Sequence, residues 1–225
     1  MVNTEVIGNH GGITHGLKKE LQRFINNCNN TIIVFDLETN GLKPENSSVL
    51  SCSAIKFNVI GDGELVELER FNRYYFPKER FRSAAIGVNG LSKDKIKELR
   101  VGANYAEHFI DDKEFNQFCN GVKSYVSHNA DFDSKFIEHV SPSRYFCTMK
   151  TNANIVCSKW IESKNEWKWP SLKETAKYYG IQVKQSSLHG SKYDTEITAE
   201  IFKKMIKNIN NCSSIVDNKH NNITS

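Results

Sequence analysis

Apolar and polar positions divide this chain into strand-like and helix-like stretches. Ile32-Ile33-Val34-Phe35 is a β-branched and aromatic run that reads as a buried strand, and it leads into Asp36-Leu37-Glu38-Thr39-Asn40-Gly41-Leu42. Val49 to Val59 and Leu65 to Phe76 are two further strand-like stretches joined by a turn at Gly61-Asp62-Gly63, which predicts an antiparallel three-stranded meander. Val122 to Ser127 adds a short apolar strand. Leu17, Leu21, Phe24 and Ile25 share one helical face, and Asn26-Asn27 ends that helix. Ser92 followed by Asp94, Ile96 and Leu99 predicts a capped helix, and Asp111 to Cys119, Phe132 to His139 and Thr148 to Trp160 predict three more. Ser171 to Tyr179, closed by Gly180, and Asp194 to Lys207, with its apolar stripe of Ile197, Ile201 and Met205, complete the set. A meander followed by alternating helices and strands predicts an α/β fold with a mixed sheet. Polar, Gly-rich residues 1–16 are expected to be flexible and Asn/Ser-rich residues 209–225 disordered, leaving 17–208 as the folded unit.

Composition narrows the class without naming a function. The chain has 225 residues, 39% of them hydrophobic and 25% charged, which suits one soluble domain. A net charge of +4 is compatible with a polyanionic ligand, and equally with a solvated, Lys-rich surface. Six cysteines, at 28, 52, 119, 147, 157 and 212, contain no Cys-x-x-Cys pair and read as reduced thiols of a cytosolic or nuclear protein. Met1-Val2-Asn3-Thr4-Glu5 lacks the basic start and apolar core of a signal peptide, and no stretch reaches the ~20 apolar residues of a membrane span. An intracellular, cytoplasmic protein with no membrane partner is therefore expected, and Asn46-Ser47-Ser48 reads as a chance glycosylation triplet. His10 and His15 have no Cys or carboxylate neighbours and are set aside as metal ligands.

Candidate chemistry begins at the end of the first strand. Side chains alternate faces along a strand, so Asp36 and Glu38 point one way while Phe35 and Leu37 point the other. Two like charges side by side at the end of a hydrophobic strand cost free energy unless a cation sits between them, or unless the strand simply runs out into solvent. In Val126-Ser127-His128-Asn129-Ala130-Asp131-Phe132-Asp133 a strand gives way to a helix, placing polar residues at the carboxyl end of a sheet strand, with Asp133 in the first helical turn. Asp133 could equally be a carboxylate answering the helix dipole. In Leu188-His189-Gly190-Ser191-Lys192-Tyr193-Asp194 a Gly-containing loop enters an amphipathic helix. Asp194 could be its N-cap, and His189 is either a surface histidine or a titratable group delivered to a site.

Together these stretches resemble the DEDDh (DnaQ-like) family of 3′-to-5′ exonucleases, over roughly Ile32 to Lys207. Asp36 to Leu42 is similar to the family's first motif, His128 to Asp133 to its second, and His189 with Asp194 to its third. Ile86-Gly87-Val88-Asn89-Gly90-Leu91-Ser92 is similar to the segment lining the terminal nucleotide, and Pro170-Ser171-Leu172-Lys173 with Tyr179-Gly180-Ile181 to the helix before the third motif. Leu188-His189-Gly190 is closer to the proofreading subunit of bacterial replicative polymerases than to the oligoribonucleases.

The resemblance implies a ribonuclease H-like fold whose mixed central sheet, a meander plus parallel strands, is flanked by helices, with 17–208 as an exonuclease domain. It implies Asp36, Glu38, Asp133 and Asp194 as ligands of two Mg²⁺ or Mn²⁺ ions, and His189 as general base. Thr39, Gly41, Leu42, Val88, Asn89, His128 and Asn129 are implied as substrate contacts, Leu42 wedging against the terminal base. The expected substrate is the 3′ end of DNA, single-stranded or frayed, with RNA as an alternative, a DNA polymerase as a candidate partner, and an inactive binding module as the reading from another class. Asp131 departs from the small or apolar residue expected there, and either adds charge to the site or points outward. Trp160, Trp167 and Trp169 read first as core or a lid hinge, and second as a surface that stacks on nucleic acid.

Overall fold

A computed structural model describes residues 11–184 and 188–221. Helix α1 (Gly11–Asn26) leads into strand β1 (Thr31–Thr39), β2 (Val49–Ile60) and β3 (Glu64–Tyr74). Three short helices follow, α2 (Ser83–Asn89), α3 (Lys93–Leu99) and α4 (Lys113–Cys119). Strand β4 (Ser124–Ser127) runs into α5 (Ala130–Asp133), and β5 (Arg144–Cys147) into α6 (Thr148–Thr151) and α7 (Ala153–Val156). A small hairpin, β6 (Trp160–Ile161) with β7 (Glu166–Trp167), precedes α8 (Leu172–Tyr178) and the long α9 (Ser191–Asn221).

The main sheet has the order β3-β2-β1-β4-β5. β1, β2 and β3 are antiparallel, as the meander predicts, while β4 and β5 add in parallel. This is the mixed α/β sheet of the ribonuclease H-like class. Alternation along β1 then decides what each face holds. Ile32 and Val34 pack with Phe24 of α1 and Ile201, Phe202 and Met205 of α9; Ile33, Phe35 and Leu37 pack with Phe115 and Phe118 of α4. Asp36 and Glu38 continue the row facing α9, so an apolar stripe turns acidic where the strand leaves the core.

Several predicted elements differ in extent. The helix expected over Phe132 to His139 is only the short α5, followed by 3-10 turns at Ser134–Phe136 and Glu138–Val140. Consecutive Phe136 and Ile137 are both buried, which the tighter winding allows. The helix expected from Thr148 to Trp160 breaks at Asn152, whose buried Nδ2 donates to the Thr148 carbonyl, and stops at Cys157 with φ +48°. Strand β5 and helix α2 were not expected at all. Helix α1 begins at Gly11, within the stretch expected to be flexible, and α9 runs beyond Lys207 to Asn221, within the stretch expected to be disordered. His10, the His15 side chain and residues 222–225 lie outside the described residues. Among the described residues no helix is long and apolar enough to cross a membrane.

Candidate active site

β1 delivers two carboxylates, α5 a third and α9 a fourth. Asp36, Glu38 and Asp194 each offer a carboxylate oxygen within 4.8 Å of the other two. Asp194 reaches them because α9 begins at Ser191, so Asp194 lies inside the helix and is not its N-cap. The start of α9 is tied down beside them: Ser191 Oγ meets Ser51 Oγ on β2, the residue opposite Glu38, and Thr195 Oγ1 donates to the Ser53 carbonyl. A register shift between Glu38 and Thr39 marks a bulge where β1 leaves the sheet.

Asp133 stands beside this trio, not within it. Its Oδ2 accepts from Ser127 Oγ at 3.1 Å. Asn129, at φ +153°, turns the chain sharply, and its carbonyl accepts from the N–H groups of Phe132 and Asp133, winding the short helix that carries the carboxylate inward.

All four acids hold their protons more tightly than free carboxylates do. Burial and then repulsion from Asp133, Glu38 and Asp194 push Asp36 well above the usual carboxylate range. Burial, then Asp194 and Asp133, push Glu38 up to about 8 against a hydrogen bond from the Asn89 side chain. Burial lifts Asp133 to about 7 despite its hydrogen bonds, and lifts Asp194 to about 6 despite the His189 N–H. Asp194 Oδ1 is buried with no hydrogen-bond partner. An all-oxygen donor set, mutual repulsion and an orphaned carboxylate oxygen fit a hard divalent cation such as Mg²⁺ or Mn²⁺.

His189 is exposed, with φ +66°, and its backbone N–H donates to Asp194 Oδ2 at 3.2 Å. The expected substrate contacts fall into two groups. Leu42 and Val88 are 77% and 64% exposed, apolar side chains held out from the surface. Asn89 Nδ2 donates to the Thr39 carbonyl, which fixes the end of α2 against the end of β1, and Thr39 Oγ1 donates to the Gly41 carbonyl. His128 is different. Nδ1 bonds Thr148 Oγ1 and Nε2 bonds the Pro170 carbonyl, so neither ring nitrogen is left for a nucleotide, and burial pushes its pKa down to about 4. It ties the second motif to the segment before α8. Asp131 points outward and pairs with Lys150.

Sequence reasoning missed the groups that shape the loop after β1. Asn40 is fully buried; Nδ2 donates to Glu79 Oε1 and the Arg80 carbonyl, while Oδ1 accepts from the Arg82 N–H. Glu79 also accepts from the N–H and Oγ of Ser48. Arg82 reaches Ser47 Oγ and the Asn46 carbonyl, closing over Gly41. Asn40-Gly41 reads as an ordinary turn pair, so nothing local in the sequence signalled that Asn40 is buried.

A family model described as exonuclease matches residues 33–202. DNA polymerase III PolC-type from Staphylococcus aureus (strain bovine RF122 / ET3-1) is 30% identical over 192 residues, covering 85% of this chain and 12% of that protein. The chain thus spans about an eighth of the length of the curated relatives it matches. Among solved structures, Exonuclease X in complex with 5′ overhanging duplex DNA superposes with a TM-score of 0.53 at 19% identity, covering 79% of this chain and 92% of that one. E. coli Exonuclease I in complex with a dA16 oligonucleotide gives 0.55 at 15%, covering 78% and 40%. At those identities the two structures speak to the fold.

Proposed function

The chain belongs to the exonuclease family of DnaQ-like proteins, and on that premise we propose that it is a divalent-metal-dependent 3′-to-5′ exonuclease. It hydrolyses phosphodiester bonds from the 3′ end of DNA, on single strands or frayed ends, and releases nucleoside monophosphates. The observation that carries this reading is the trio Asp36, Glu38 and Asp194, with oxygens within 4.8 Å of one another and Asp194 Oδ1 lacking a partner. The match to a segment of a DNA polymerase supports DNA as the polymer and a polymerase as a partner.

Asp36, Glu38 and Asp194 would hold two Mg²⁺ or Mn²⁺ ions, with Asp133 completing the set. Once bound, the ions would supply the positive charge that acidifies an attacking water and offsets charge on the phosphoryl oxygens and the leaving 3′-oxygen. Ser127 keeps the Asp133 carboxylate aimed inward. His189 takes the proton from the attacking water on an imidazole nitrogen, from a loop that its backbone ties to Asp194. Leu42 and Val88 offer apolar surface to the terminal base, and Asn89 holds α2 in place beside it.

The test is time-resolved degradation of 3′- and 5′-labelled single-stranded DNA and RNA of one sequence, with Mg²⁺ or EDTA, beside Asp36→Ala. Stepwise shortening from the 3′ end, faster on DNA and abolished by EDTA or by the substitution, is the expected result. Absence of metal-dependent degradation of either polymer would leave a binding module with this fold.

A further inference from the structure

All three tryptophans of the chain lie between positions 160 and 169. They are not core. Trp160 and Trp167 face each other across the β6–β7 hairpin, with ring centroids 5.2 Å apart in an edge-to-face arrangement. Such a cross-strand aromatic pair gives a two-stranded ribbon much of its own stability. The Lys168 N–H closes it by donating to the Lys159 carbonyl at 2.7 Å. Beyond the hairpin Trp169 is 49% exposed, and Trp160 is 37% exposed. Lys150 Nζ lies 4.9 Å from the Trp169 ring centroid while pairing with Asp131.

This aromatic surface is fixed relative to the acidic site. The residue after Trp169 is Pro170, whose carbonyl bonds His128 at the end of β4, and Lys150 sits in α6 directly after β5. β1, β4 and β5 are adjacent and parallel, so their carboxyl ends share one edge of the sheet. With neighbouring strands about 4.8 Å apart, the end of β5 lies roughly 10 Å from that of β1, where the acids are. Residues 159–174 carry four lysines (159, 164, 168 and 173) and three glutamates (162, 166 and 174), with Lys168 paired to Glu174 and Lys164 to Glu166, so charged side chains of both signs surround the rings.

We propose that Trp169 and the β6–β7 hairpin form a stacking platform for single-stranded nucleic acid, taking bases on the 5′ side of the nucleotide being removed. The polarity assigned to the strand rests on the exonuclease reading above. Every base has a π-face and every linkage a negative charge, so a surface of exposed indoles among lysines holds a single strand without reading its sequence. A membrane or a folded protein would ask for a contiguous apolar patch; here the exposed rings alternate with charged side chains.

Because every tryptophan lies in this platform, intrinsic tryptophan emission reports on it alone. Full-length protein in EDTA is titrated with an oligothymidylate of about twelve residues. Quenching that weakens as NaCl is raised is expected, with most of it lost in Trp169→Ala. In the presence of Mg²⁺, Trp169→Ala should raise KM on that oligomer by about tenfold. It should also narrow the gap in KM between the oligomer and a trinucleotide, and Trp169→Phe should restore most of that gap. Absence of quenching at low salt, or an equal rise in KM for both lengths, overturns the platform. The two readings separate cleanly: hydrolysis without quenching removes the platform alone, and quenching without hydrolysis supports the platform while removing the exonuclease.

Discussion

The backbone N–H of His189 donates to one oxygen of Asp194, and the other oxygen of Asp194 is buried with no partner in the protein. One carboxylate thus holds the histidine loop with Oδ2 and leaves Oδ1 free to accept. Asp194→Asn keeps the shape while removing the charge and the free acceptor. Where a divalent ion is supplied at a hundredfold its Kd, wild-type stabilisation is ~2.7 kcal/mol, roughly 5–10 °C in melting temperature for a domain of this size. Asp194→Asn should lose most of that increment and nearly all nuclease activity. Differential scanning fluorimetry with and without Mn²⁺ checks the first, and the labelled-oligonucleotide assay the second.

The imidazole of His189 is separable from its backbone contact. At φ +66° a side chain is strained, so His189→Gly removes the ring, keeps the N–H that reaches Asp194 and relieves the backbone. The expected outcome is a fall in kcat of about 10²–10⁴-fold, the usual worth of a general base, with the metal-induced rise in melting temperature retained. Loss of both together would mean that the ring holds the site together and does not serve as its base.

Four acids with raised proton affinity impose a pH dependence of definite sign. In the metal-free protein Asp133 binds its proton up to about pH 7 and Glu38 up to about 8, whereas in the unfolded chain both ionise near pH 4. The native state therefore binds more protons than the unfolded state above pH 4, and stability falls as pH rises through the folded values. His128 acts oppositely below pH 6.5, because burial holds it neutral down to about pH 4. The window from pH 6.5 to 8 isolates the acids. Thermal melts in EDTA should show falling stability across it, and Mn²⁺ should abolish or reverse the trend. Glu38→Gln should flatten the EDTA curve; a curve that rises with pH in EDTA would contradict the repulsion argument.

Much of this site was legible in the sequence because strand alternation and motif order are local properties. Asp36 and Glu38 had to share a face, and Asp133 and Asp194 had to fall near helix starts. What local pattern does not carry is how far an element extends and which side chains serve its neighbours. Asp194 could be read as a cap or as a ligand because both kinds of residue sit near a helix start, and the Ser191–Ser51 contact that helps hold the start of α9 spans 140 residues of chain. His128 read as a substrate contact because its partners, Thr148 and Pro170, lie 20 and 42 residues away in the chain. The three tryptophans were ambiguous for the same reason: a core cluster and an exposed one share a composition, and burial alone separates them.

Gly41 offers a test of how tightly the loop after β1 is built. A Cβ there would lie 2.5 Å from Ser47 Oγ and would overlap the Arg82 guanidinium, which is held by Ser47 Oγ and the Asn46 carbonyl. Gly41→Ala must therefore displace Arg82 or shift the loop, at a cost of about 1–3 kcal/mol by the usual measure of overpacking. Asn40, anchored through Glu79, keeps the start of the loop in place, so the displacement falls on Leu42, the exposed side chain that follows. KM for a single-stranded oligonucleotide should rise several-fold while the metal-induced rise in melting temperature stays near the wild-type value. Adding Arg82→Ala removes the overlapping guanidinium and should recover part of the lost KM. If Gly41→Ala instead reduced metal binding as strongly as Asp194→Asn, the loop would be part of the ion site and not a separate device for the terminal base.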